Sequence, residues 1–165
     1  MKLSTAVVCF LLSIGLTLSC SKPKPMPTTM RSVYYWSTTL NMDSVKTAFM
    51  RNYDISRMYI RYFDVVADQS GRAVPNATLK FATDVPQGID IVPTVFVMPE
   101  CLRQDRSRLA SLIVKRVVQM NETNDVYNVK EIQIDCDWTQ STRQLYAEFM
   151  QAMMRECHSR HLKLS

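Results

Sequence analysis

The chain has 165 residues and a formal net charge of +5, from 20 lysines and arginines against 15 aspartates and glutamates. That small basic excess is spread along the chain, which argues against a nucleic-acid partner and fits a mixed, solvated surface. With only three glycines there is no glycine-rich phosphate loop, and no Cys or His spacing suits zinc, so neither a metal nor an organic cofactor is expected.

The N-terminus has three parts. Met1-Lys2 is a short positive region, Ala6 to Leu18 is an apolar run, and Ser19-Cys20-Ser21 follows. The run is shorter than the roughly 20 residues a spanning helix needs, so residues 1–19 read as a signal peptide. Thr17-Leu18-Ser19-Cys20 resembles a lipobox, with Thr17 where Leu usually stands. The resemblance implies lipidation of Cys20, with diacylglycerol and palmitate-type chains holding the protein on a membrane, because one chain alone binds only marginally. It also implies a Gram-negative cell envelope, and Ser21 after the cysteine implies the outer membrane. The alternative is an ordinary signal peptide with an incidental cysteine. Residues 20–30 hold Lys22-Pro23-Lys24-Pro25-Met26-Pro27, an extended tether that cannot be helical. Beyond Cys9 and Cys20, the cysteines are Cys101, Cys136 and Cys157. One disulfide plus a free thiol, or three buried free thiols, are both open.

Strand and helix patterns then alternate over residues 31–165. Val33 to Trp36 is a first strand. Asn41 can cap a helix to Tyr53, with Val45, Phe49 and Tyr53 as its apolar stripe. Met58 to Phe63 is a second strand. Residues 65–90 break the rhythm, with Ala77 to Ala82 as an extra strand in a polar excursion. Ile91 to Met98 is a third strand. Gln104 to Met120 is a helix with Leu109, Leu112, Ile113, Val117 and Met120 in one stripe. Lys130 to Cys136 is a fourth strand. Thr139 or Ser141 can cap a helix to His158, with Leu145, Phe149, Ala152 and Met153 on one side. Leu162 to Ser165 opens another strand.

This alternation predicts an α/β fold with parallel strands under helices. On the fourth strand, Ile132, Ile134 and Cys136 share one face; Glu131, Gln133, Asp135 and Asp137 share the other. A doubly wound sheet buries both faces and would not readily accept that polar row, whereas a barrel interior turns polar near its C-terminal mouth. The expectation is the first half of a (βα)8-type TIM barrel. A complete barrel needs about 250 residues, so the chain is expected to be truncated in the fifth strand. A small complete four- or five-stranded α/β domain is the alternative.

Four segments carry a likeness: Tyr34-Tyr35-Trp36-Ser37, Tyr59 through Val65, Val92 through Val97, and Ile132 through Trp138. They resemble an uncharacterised family of bacterial barrel lipoproteins, with Arg143 and Tyr146 on the following helix and Leu164-Ser165 opening the next strand. The resemblance implies the barrel and the truncation, and supplies no activity. Asp135-Cys136-Asp137 also resembles, more distantly, the Asp-x-Asp-x-Glu strand end of chitinase-type glycoside hydrolases; Thr139 stands where that family has its acidic Glu.

The likeness to chitinase-type hydrolases implies a mouth that binds or cleaves carbohydrate. Asp135 and Asp137 are the candidate acids, since two aspartates two apart on a strand point the same way, roughly 6–7 Å apart. A structural pair held by Arg61 or Arg143 is the alternative. Arg61, Asp64, Trp36 and Trp138 are candidate ligand contacts, with Tyr35 and Glu100 behind them; barrel packing and an Arg61–Asp135 ion pair are their alternatives. Whether the protein is an enzyme or a non-catalytic binding or scaffold lipoprotein stays open, because Thr139 replaces the expected acid. Asp43-Ser44-Val45 resembles an O-glycosylation acceptor.

Overall fold

The computed structural model describes residues 30–165. The signal peptide at 1–19, Cys20 and the tether through residue 29 lie outside the described residues. The described residues form a mixed α/β fold with a mostly parallel sheet and three α-helices.

The elements run β1 (Arg31–Tyr35), β2 (Thr39–Leu40), α1 (Ser44–Asn52), β3 (Ile55–Ala67), β4 (Ala73–Asn76), β5 (Lys80–Phe81) and β6 (Asp90–Val97). A 3-10 turn (Pro99–Arg103), α2 (Arg106–Thr123), β7 (Glu131–Asp135), α3 (Arg143–Ser159) and β8 (Lys163–Leu164) follow. The main sheet has the order β1-β3-β6-β7-β8, every neighbour parallel, so its strands advance across the sheet in chain order without reversal. β4 turns back antiparallel onto β3. It occupies the upper part of the edge whose lower part carries β1, because the other edge of β3 is taken by β6. β2 and β5 form a separate parallel pair.

One face of the sheet is apolar and covered. Met58, Ile60, Phe63, Val95, Val97, Ile132 and Ile134 join Leu109, Ile113 and Val117 of α2 and Phe149 and Met153 of α3 in a single core. Burial of each such side chain stabilises the fold by about 1.5–3 kcal/mol. The β3–β6 ladder shifts register between Arg61 and Phe63, leaving Tyr62 as an extra residue. This bulge turns Tyr62 and Phe63 together into the core, and the Tyr62 hydroxyl donates to Asn121 Oδ1 of α2 at 2.8 Å.

Several sequence expectations change. Asp43, not Asn41, caps α1, its carboxylate accepting from the Lys46 N–H at 2.8 Å. The stripe expected to be core is exposed: Val45 by 76%, Phe49 by 48% and Tyr53 by 56%, while Met50 is buried. The α1 helix flanks the end of the sheet and packs through Met50, so its i, i+4, i+8 stripe faces away. Leu112 of α2 is likewise exposed. Asp105 caps α2, which begins after the 3-10 turn rather than at Gln104. Thr142 is the N-cap residue of α3 in place of Thr139 or Ser141. The excursion contains two short strands: the one expected over 77–82 narrows to Lys80–Phe81, and β4 comes before it. The turn into β4 is closed by Asp68, which accepts from the Ser70 and Arg72 N–H groups, with Gly71 at φ +78 where a side chain would be strained.

No helix among the described residues is long and apolar enough to cross a membrane.

Candidate functional site

The face of the sheet opposite the helices is polar and aromatic. Alternation puts Tyr34 and Trp36 of the first-strand segment on it, with Arg57, Tyr59 and Arg61 of β3, Thr94 and Phe96 of β6, and Glu131, Gln133 and Asp135 of β7. In register, Tyr34 lies beside Tyr59, Arg61 beside Thr94, Thr94 beside Gln133, and Phe96 between Asp64 and Asp135.

Aromatic rings line the β1 side. Tyr34 stacks on Trp36 with centroids 5.7 Å apart and on Tyr59 at 4.7 Å. Trp36 is 46% exposed and Tyr34 52%, so both offer ring surface to a ligand. Thr94 Oγ1 donates to Gln133 Oε1 at 3.1 Å, and Gln133 Nε2 donates to Tyr34 Oη at 3.0 Å.

Charged groups gather at the C-terminal end of the strands. Residues three apart on a regular strand face opposite ways, but the Tyr62 bulge returns Asp64 to the face of Arg61. Arg61 Nε then donates to Asp64 Oδ1 at 2.7 Å and Nη2 to Oδ2, a bidentate pair that holds the guanidinium above its ordinary pKa. The Arg61 guanidinium also lies 5.9 Å from the Trp36 ring centroid. The Arg61–Asp135 ion pair considered from the sequence is therefore replaced by Arg61–Asp64. Asp135 is half-buried, and burial, followed by the charge of Asp137, raises its pKa above the usual 3.8 against the opposing pull of Arg61.

The other sequence candidates lie as follows. β7 ends at Asp135, and Asp137 is exposed past the strand end, where a turn closes with the Trp138 N–H donating to the Cys136 carbonyl at 2.9 Å. The two aspartates therefore do not share one regular strand, as the spacing had suggested. Trp138 stacks on Tyr146 of α3 at 5.7 Å rather than joining Trp36. Tyr35 belongs to the covered face: its hydroxyl donates to the Thr39 carbonyl at 2.9 Å and accepts from the Asn41 N–H at 3.1 Å. Tyr34 takes the lining role considered for Tyr35. Glu100 is exposed on the 3-10 turn. The Thr139 hydroxyl bonds to the Ser141 hydroxyl at 2.9 Å.

Tyr34, Tyr59 and Thr94 were not singled out from the sequence, whereas alternation along the fourth strand had already put Gln133 on this face. Strict alternation from Trp36 and Arg61 would have found Tyr34 and Tyr59. At the other end of the strands, Arg57 bonds Glu131 at 3.0 Å and lies 3.6 Å from Asp90. That cluster pins β3, β6 and β7 together beneath the site.

Among the described residues no disulfide forms: Cys101 and Cys157 are buried and Cys136 is half-buried, all as free thiols. Burial pushes the Cys136 and Cys157 thiols up to about 11. No group of three or more His, Cys, Asp or Glu among the described residues is arranged to hold a metal ion.

No family model, no curated protein and no solved structure matches this chain.

Proposed function

We propose that the chain is the first half of a (βα)8-type barrel whose mouth takes a carbohydrate, in a lipoprotein anchored to the outer membrane of a Gram-negative cell through acylated Cys20. The observation that carries this reading is the single polar face on which Tyr34, Trp36 and Tyr59 stack beside Arg61, Asp64 and Asp135. Exposed ring faces suit the apolar faces of sugars, and an adjacent carboxylate–guanidinium cluster suits their hydroxyls. Parallel strands advancing in chain order support the barrel, as does an acidic cluster at their C-terminal ends, where barrel enzymes carry their sites.

In this reading Asp135 is the acid. Burial and the charge of Asp137 raise its pKa, which is the direction a proton donor to a glycosidic oxygen needs. Arg61 and Asp64 orient the ligand, and Trp36 stacks on it. A second reading, binding without cleavage, is favoured by Thr139. The Thr139 side chain, where chitinase-type enzymes have Glu, is tied into the turn before α3 and supplies no titratable proton.

The test uses the full chain with oligomers of β-1,4-linked N-acetylglucosamine. Saturable binding that disappears in the Asp135→Asn/Asp137→Asn variant and weakens in Trp36→Ala, with circular dichroism unchanged, is the expected result. Reducing ends released by the parent chain identify a hydrolase; binding without release identifies the second reading. Unchanged binding in the double aspartate variant rejects the site. Cys20→Ser should abolish palmitate labelling and release the protein from the membrane fraction.

A further inference from the structure

A groove lies outside the sheet, on the covered side and away from the aromatic face. The crossovers β1→β3, β6→β7 and β7→β8 each carry an α-helix, but β3→β6 carries only β4, β5 and loops. The upper part of β3 is therefore flanked by α2 on one side and by the narrow β4 ribbon on the other. Between them runs an open groove with a cavity of about 300 Å³. Phe63 and Val65 form its floor, Val74 one wall, and Leu112 and Ile113 the other. A volume at the low end of ordinary ligand pockets, apolar walls and a few polar groups are the usual marks of a small-molecule site.

Beside the neutral Gln119, the polar groups are cationic. Arg116 and Lys115 stand at the groove, and neither forms an ion pair among the described residues. Arg116 is half-buried. Its Nη2 donates to Thr78 Oγ1 at 3.0 Å and its guanidinium lies 5.2 Å from the Phe63 ring centroid, yet its Nε is fully shielded with no hydrogen-bond partner among the described residues. A guanidinium cannot shed its charge, and a half-buried one without a counter-ion is a cost to the fold that an anion would relieve. The groove thus offers one cationic end and one apolar trough.

We propose that this groove binds a single acyl chain ending in a carboxylate, with the carboxylate on Arg116 and Lys115 and the chain along Phe63, Val65 and Leu112. This site is independent of the carbohydrate reading and uses none of its residues.

The probe is dodecanoate, titrated into the full chain below its micelle concentration and followed by calorimetry and by amide chemical shifts. Saturable one-to-one binding with shifts confined to β4 and the Leu109–Gln119 stretch of α2 is expected. Dodecanol should bind at least about tenfold more weakly, as should dodecanoate to Arg116→Gln, because a charge-assisted contact is lost. Leu112→Asp, at an exposed position that does not threaten folding, should abolish binding, and Val74→Trp should fill the trough with the same result. Val45→Asp on the exposed stripe of α1 should leave affinity unchanged. No saturable binding of dodecanoate to the parent chain overturns the proposal. So does equal affinity for dodecanol, loss of binding in Val45→Asp, or attachment only to phosphatidylglycerol vesicles with no uptake of the free carboxylate.

Discussion

Tyr34 and Gln133 touch at 3.0 Å although three strand spacings separate β1 from β7, about 14 Å in a flat sheet. Side chains stand nearly perpendicular to a sheet, so this contact requires the sheet to curl toward its polar face. Curling gathers Tyr34, Tyr59, Thr94 and Gln133 into one layer and holds the aromatic platform beside the acidic strand ends.

The Gln133 bridge should be measurable as coupling between distant strands. Gln133→Leu and Tyr34→Phe are each expected to cost about 0.5–1.5 kcal/mol. The double variant should cost less than the two losses added, because each removes the same bond. Urea denaturation of the four proteins measures this, and strict additivity would mean that the contact contributes nothing to the curl.

The Arg61–Asp64 pair makes a different prediction. Asp64→Asn leaves the Arg61 guanidinium, with 28% of its side chain exposed, without its bidentate partner. A loss of about 1–3 kcal/mol is expected, below the 3–5 kcal/mol of a fully buried pair because water still reaches Arg61. Replacing both by Arg61→Met/Asp64→Leu should recover part of that loss. A double variant less stable than Asp64→Asn would contradict the desolvation argument.

The pH dependence follows from Asp135. Burial and Asp137 raise its folded pKa above 3.8, so the unfolded chain ionises more easily. Stability from this group is complete below 3.8 and is lost as pH rises through the raised folded value. Asp135→Asn should therefore gain stability over the parent chain as pH rises toward neutrality, with little difference in acid. A difference in urea midpoints that does not vary with pH would exclude the raised pKa.

The orientation of α1 can be checked by truncation. Met50→Ala should cost about 2–4 kcal/mol, whereas Val45→Ala should stay within about 0.5 kcal/mol. Thermal melts of the two variants decide which face is core, and the reverse order would restore the stripe expected from the sequence.

Much of this protein was legible without coordinates. Alternation in Glu131–Asp135 and the 3.6-residue stripes of α2 and α3 follow from local backbone geometry, which a single sequence encodes. So the parallel α/β pattern and the polar face of β7 were both readable. The exposed side of α1 was not, because Val45, Phe49 and Tyr53 have a periodicity that says helix without saying which neighbour is present. The Tyr62 bulge was not, because an extra residue is visible only against the partner strand; yet it alone puts Arg61 and Asp64 on one face. Arg57 and Glu131 are 74 positions apart, and the Tyr34–Gln133 contact spans 99. Sequence determined which residues alternate and which helices carry an apolar stripe, since those depend on neighbours along the chain. Tertiary structure alone decided which polar groups meet, where β7 stops short of Asp137, and that the β3→β6 crossover leaves a groove beside Arg116, since those depend on strand pairing and sheet curl.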